Sequence, residues 1–133
     1  MTNKVLVPAA LAAAALTAAI PAVAARADAQ GEAKLAKILD GRVAGEPVQC
    51  LNNYQRRQMQ VIDRTALVFK DGDTYYVNRP EGVSFLSWSD VPVFKLSSSD
   101  LCAMDMAQLR DRSTGMLGAT IVMGKFVPYR KAG

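Results

Sequence analysis

A chain of 133 residues carrying 16 Lys and Arg against 12 Asp and Glu has the length of one domain and a formal charge of +4. It has no histidine, which excludes a Ser-His-Asp or Cys-His triad, a histidine general base and every histidine-containing metal site. Two cysteines alone complete neither a zinc nor an iron-sulfur site, and no metal site, cofactor or catalytic residue is expected from the sequence.

The apolar residues are unevenly spread. Residues 1–29 hold 21 of them, 13 being alanine, and they follow the order of a secretory signal: Lys4 as charged start, an apolar stretch over residues 5–20, then the small-residue runs Ala22-Val23-Ala24 and Ala27-Asp28-Ala29. Alanine contributes little transfer free energy, and Pro8 and Pro21 interrupt a helix, so residues 1–29 read as a cleaved signal and not as a retained anchor. Cleavage is expected after Ala29, with Ala24 close behind. No cysteine directly follows the apolar run to take a lipid. The product is expected in the periplasm or secreted, with no transmembrane anchor after cleavage. Export places Cys50 and Cys102 in an oxidising compartment, where an even count in a short chain reads as a disulfide.

Residues 30–46 read as a short amphipathic helix and linker. Leu35, Ile38 and Leu39 recur at helical spacing, Glu32 supplies an acid in the first turn, and Gly41 is placed to stop the helix. So narrow a stripe suits a lid on the following domain better than a membrane or partner helix.

Residues 47–133 read as a disulfide-bridged β domain. Residues 47–51 are expected to be the first strand, and short runs rich in β-branched and aromatic residues follow at 59–62, 65–69 and 74–78. Asp63-Arg64 turns the first pair, and Asp71-Gly72 predicts a type I′ hairpin between the last two. The Asp71-Gly72-Asp73 triplet lacks the ligand ladder of a calcium loop. After a loop at 78–82, Phe85, Leu86 and Trp88 lead into residues 91–96, where Pro92 demotes the run to an edge strand. Residues 101–109 are ambiguous: Asp100 could cap a helix there, but both alternating faces are largely apolar, and the segment is read as a buried strand. A turn at 112–115 and runs at 119–123 and 125–129 complete the chain. The expected fold is mainly β, a small antiparallel barrel or sandwich of six to seven strands with a short N-terminal helix. All nine aromatic residues follow residue 53, and Tyr75, Tyr76, Phe94 and Phe126 are read as core.

The runs Leu39-Asp40-Gly41-Arg42-Val43-Ala44-Gly45-Glu46-Pro47-Val48-Gln49-Cys50, Val61-Ile62-Asp63-Arg64-Thr65, Tyr76-Val77-Asn78-Arg79-Pro80, Leu101-Cys102-Ala103-Met104-Asp105 and Gly124-Lys125-Phe126-Val127-Pro128-Tyr129 together resemble an uncharacterised bacterial family of small exported proteins, a domain of unknown function. That resemblance implies export and a Cys50–Cys102 pair, and implies no activity.

Three classes of function compete. A carboxylate-dependent hydrolase of envelope glycan would need an acid/base pair. Asp105 and Asp111 are too far apart on a strand and point apart on a helix, so Asp63 with Asp105 is what remains. Nucleic-acid binding is disfavoured: removing residues 1–29 leaves 14 basic against 11 acidic residues, interleaved and in the wrong compartment. The favoured reading is a non-catalytic envelope module, its partner an envelope protein or glycan. An exposed strand edge, as at residues 91–96, or the loop bearing Arg79 and Trp88 would bind it.

Overall fold

The computed structural model describes residues 22–133, so most of the expected signal lies outside the described residues. One helix, α1 (Ala22–Ile38), precedes ten strands: β1 (Arg42–Ala44), β2 (Cys50–Leu51), β3 (Gln58–Ile62), β4 (Ala66–Asp71), β5 (Thr74–Asn78), β6 (Asp90–Lys95), β7 (Leu101–Cys102), β8 (Met106–Asp111), β9 (Leu117–Val122) and β10 (Phe126–Lys131). Three antiparallel sheets result, in the orders β1-β10-β5-β4-β3, β6-β8-β9 and β2-β7. The protein is mainly β, as the short β-branched and aromatic runs predict. Among the described residues there are ten strands in place of six to seven, and the sheets do not close into a barrel.

The layering follows from β4. Its consecutive residues Ala66, Leu67, Val68 and Phe69 are all buried, so both faces of the strand need cover. Leu67 and Phe69, with Tyr76 of β5 and Phe126 of β10, pack against Ala107 and Leu109 of β8 and Ile121 of β9. The Phe69 and Phe126 rings meet edge-on with centroids 5.8 Å apart. On the other face Ile62, Ala66, Val68 and Val77 pack against Leu35, with Ile38 and Leu39 beside them. Helix, five-stranded sheet and three-stranded sheet are therefore stacked, and each fully buried Leu, Ile, Val or Phe contributes about 1.5–3 kcal/mol. Between the sheets the buried amide of Asn78 is satisfied on both sides, donating to the Gly124 carbonyl (2.7 Å) and accepting the Gly124 N–H (3.0 Å).

The helix is longer than the apolar spacing predicted, running back from Glu32 through Gly31. A glycine inside a helix normally weakens it. Here a Cβ on residue 31 would lie 1.8 Å from Thr65 Oγ1, so the bare backbone is what allows α1 to lie against the β3–β4 turn. Asp28 adds an ion pair with Arg64 at 3.6 Å. Cleavage after Ala29 would remove that contact, whereas cleavage after Ala24 would keep it.

Other segments depart from expectation for local reasons. The β4–β5 hairpin forms, but its closing pair is Asp71 opposite Thr74, which makes Gly72 and Asp73 the central residues. Only Gly72 of the two has positive φ (56°), the signature of a type II′ turn and not the expected type I′. Residues 42–44, read as linker, form β1 and pair with β10; residues 47–51 shrink to an isolated Val48–Phe126 pairing and β2. The single strand expected over 101–109 is broken into β7 and β8 by a turn at residues 103–105. Met104 takes φ 74°, and the Asp105 carboxylate accepts the Cys102 N–H (2.8 Å) and the Ser97 hydroxyl (2.9 Å). Strand β6 lies at a sheet edge, as Pro92 required.

Cys50 and Cys102 form a disulfide, facing one another across the β2–β7 ladder with Cα atoms 4.0 Å apart. The bridge closes a loop over a sequence separation of 52. Replacing both cysteines with alanine is expected to lower the unfolding free energy by about 2–4 kcal/mol, measured by urea denaturation. Equal stability of the oxidised protein and the double variant would contradict a stabilising bridge.

Candidate functional site

The carboxylates singled out for chemistry are all engaged in shaping the chain. Asp105 closes the β7–β8 turn through the two bonds given above. Asp111 accepts the Thr114 N–H (2.8 Å), the Thr114 hydroxyl (3.0 Å) and the Ser113 N–H (2.9 Å), and these donors, the Thr114 N–H first, hold its carboxyl below the usual range. Asp63 accepts the backbone N–H of Trp88. Among the described residues no group of three His, Cys, Asp or Glu side chains could hold a metal ion.

Arg79 is also engaged. Its guanidinium makes a forked pair with Glu32 of α1, at 2.6 and 3.1 Å, clasping the loop after β5 to the helix. Hydrogen bonding to the guanidinium holds Glu32 below its ordinary value and raises Arg79. Both side chains are about half exposed, so the pair contributes no more than about 1 kcal/mol.

Trp88 is different, being 68% exposed on a loop whose backbone is held at three points. Its N–H binds Asp63, the neighbouring Leu86 carbonyl accepts the Arg64 N–H (3.0 Å), and the Ser89 carbonyl accepts the Arg112 N–H (2.8 Å). The ring is therefore presented to solvent by a fixed loop. It lines a cleft of about 280 Å³ with Lys34 of α1, Met59, Gln60 and Val61 of β3, and Arg112 from the β8–β9 turn. Arg79 does not line this cleft.

Two further clefts border the same strand. One of about 270 Å³ lies against Gln58, Met59 and Gln60 and is closed by Ile38, Val68, Lys70 and Tyr75. Another, of about 190 Å³, lies against Ile62 and Asp63 beneath Gln30 and Lys34. Strand β3 is the outer strand of its sheet, paired with β4 alone. A two-residue hairpin makes its closing pair, Asp71 with Thr74, a hydrogen-bonded one. Alternation along β4 then gives Phe69 and Leu67 to β5, leaving Lys70, Val68 and Ala66 to bond Gln58, Gln60 and Ile62. The backbone groups of Met59 and Val61 consequently face outward, and they have no hydrogen-bond partner among the described residues.

Exposed edges are normally guarded by charge, proline, bulges or brevity. Strand β6 carries Asp90, Pro92 and Lys95; β1 is three residues long and holds Arg42; β9 is partly paired through Glu81 opposite Val122 and faces a register shift in β8. Strand β3, Gln58-Met59-Gln60-Val61-Ile62, has neither charge nor proline. That composition is visible in the sequence, but which strand lies at an edge is not. The outer face of the three-stranded sheet is a second exposed feature, bearing Val91, Val93, Met106 and Leu117 together with Lys95 and Arg110. No helix among the described residues is long and apolar enough to cross a membrane.

No family model matches the chain, and comparison with curated proteins and with solved structures likewise finds no match.

Trp88 is the only tryptophan, so its emission reports this cleft directly. It is expected to be solvent-shifted and, at low ionic strength, quenched more strongly by iodide than by caesium, because Lys34 and Arg112 flank the ring. The difference should vanish in high salt. A blue-shifted emission inaccessible to both ions would contradict this placement.

Proposed function

We propose that the chain is an exported, non-catalytic interaction module of the cell envelope that holds its partner on the free edge of β3 beside Trp88. The observation that carries this reading is the conjunction of an unguarded strand edge with an exposed tryptophan on a loop pinned to that edge. Resemblance to small exported bacterial proteins supports an envelope location, as does a disulfide, which belongs to oxidising compartments. Of the two partners considered, a protein is favoured over a glycan, because unpaired amides and carbonyls at strand spacing match another backbone better than a sugar. The hydrolase alternative has less support, since Asp63 and Asp105 are each committed to backbone hydrogen bonds.

Site-specific photocrosslinking in the native envelope tests the reading. A photoreactive residue replacing Gln60 is expected to give reproducible adducts that diminish at least about tenfold when Trp88→Ala is added. The same probe replacing Val43, on the opposite edge strand, is expected to give none of them. Adducts indifferent to Trp88→Ala, or equally strong from position 43, would overturn the assignment.

A further inference from the structure

Taking the β3 edge as the binding site, we infer that its ligand is an extended acidic peptide segment, which joins the five-stranded sheet as a sixth strand. The outward backbone groups of Met59 and Val61 supply two donors and two acceptors at strand spacing, the requirement for main-chain addition. Charge selects what is added. Lys34 stands on the helix side of the edge, Arg112 and Trp88 on the side of the three-stranded sheet, and Lys70 at the end near Gln58. Among the described residues the one acid lining the three clefts is Asp63, whose carboxylate already accepts the Trp88 N–H.

Successive side chains of an added strand alternate between the two faces. Two adjacent acidic residues would therefore meet Lys34 on one face and Arg112 on the other, and an apolar neighbour on the Arg112 face would lie under the Trp88 ring. A second copy of this chain is a poor occupant. Two β3 edges paired about a two-fold axis would set Lys34 against Lys34 and Arg112 against Arg112, and β3 has no acid to offset them.

The test is calorimetric titration of the oxidised, exported protein with three capped hexapeptides. The first is Thr-Val-Glu-Asp-Val-Thr, the second has both acids replaced by lysine, and the third is the acidic peptide N-methylated at alternate residues. The acidic peptide is expected to bind at least about tenfold more tightly than the lysine peptide, with affinity falling as salt rises. N-methylation should abolish binding by removing the donors that reach Met59 and Val61. Arg112→Glu, with an unchanged circular dichroism spectrum, should weaken binding at least about tenfold. Equal binding of the N-methylated peptide would overturn strand addition, and equal binding of the lysine peptide would overturn acidic selectivity. A dimer in sedimentation equilibrium that the acidic peptide does not dissociate would assign the edge to a second copy. None of these results decides the broader reading of the edge as an interaction site, which is tested separately by the crosslinking from positions 60 and 43.

Discussion

Four consecutive buried residues in β4, Ala66 to Phe69, demand cover on both faces of one strand, and the rest of the architecture answers that demand. An antiparallel sheet in a small protein commonly leaves one face to water. Here the three-stranded sheet takes the face carrying Leu67 and Phe69, and α1 takes the face carrying Ala66 and Val68. Among the described residues α1 is the cover on that side, and its close approach needs a glycine at position 31, where any side chain would hold the helix away from Thr65. The Glu32–Arg79 and Asp28–Arg64 pairs are solvent-exposed fastenings, weaker than the apolar contact they border.

Covering both faces leaves the sheet edges as the remaining open backbone. The register inherited from the Gly72–Asp73 turn decides which amides of β3 face outward, so a two-residue loop on β4 and β5 sets the chemistry of a strand that it does not touch. The same economy governs the carboxylates. Asp63, Asp105 and Asp111 each accept backbone N–H groups in turns, and in doing so they fix the Trp88 loop, the β7–β8 corner and the β8–β9 hairpin. The cleft beside β3 is thus lined by segments already held by backbone hydrogen bonds, which would reduce the ordering cost of the binding proposed there.

Much of this was legible in the sequence where local chemistry decides the outcome. The runs at 59–62, 65–69 and 74–78 correspond to β3, β4 and β5, and Pro92 marks an edge strand. The Asp-Gly pair located the hairpin, although its position one residue further along changed the turn type. Legibility failed where tertiary contacts override local pattern. The alternation in residues 101–109 conceals a turn that depends on the Asp105 carboxylate reaching back to Cys102 and Ser97. The helix runs back through Gly31, past Glu32 where the apolar spacing starts it. Of the two residues proposed for binding, Trp88 stands exposed in a cleft and Arg79 is held by Glu32; neither outcome follows from side-chain type alone. The β3 edge escaped sequence reasoning because strand order is a property of the whole sheet.

Residue-resolved amide hydrogen exchange of the free protein tests most directly whether β3 offers an open backbone edge. The Met59 and Val61 amides are expected to exchange orders of magnitude faster than those of Gln60, whose partner is Val68, and Val77 in the sheet centre. Protection of Met59 and Val61 equal to that of Gln60 would show the edge already covered, and would contradict its assignment as the binding site.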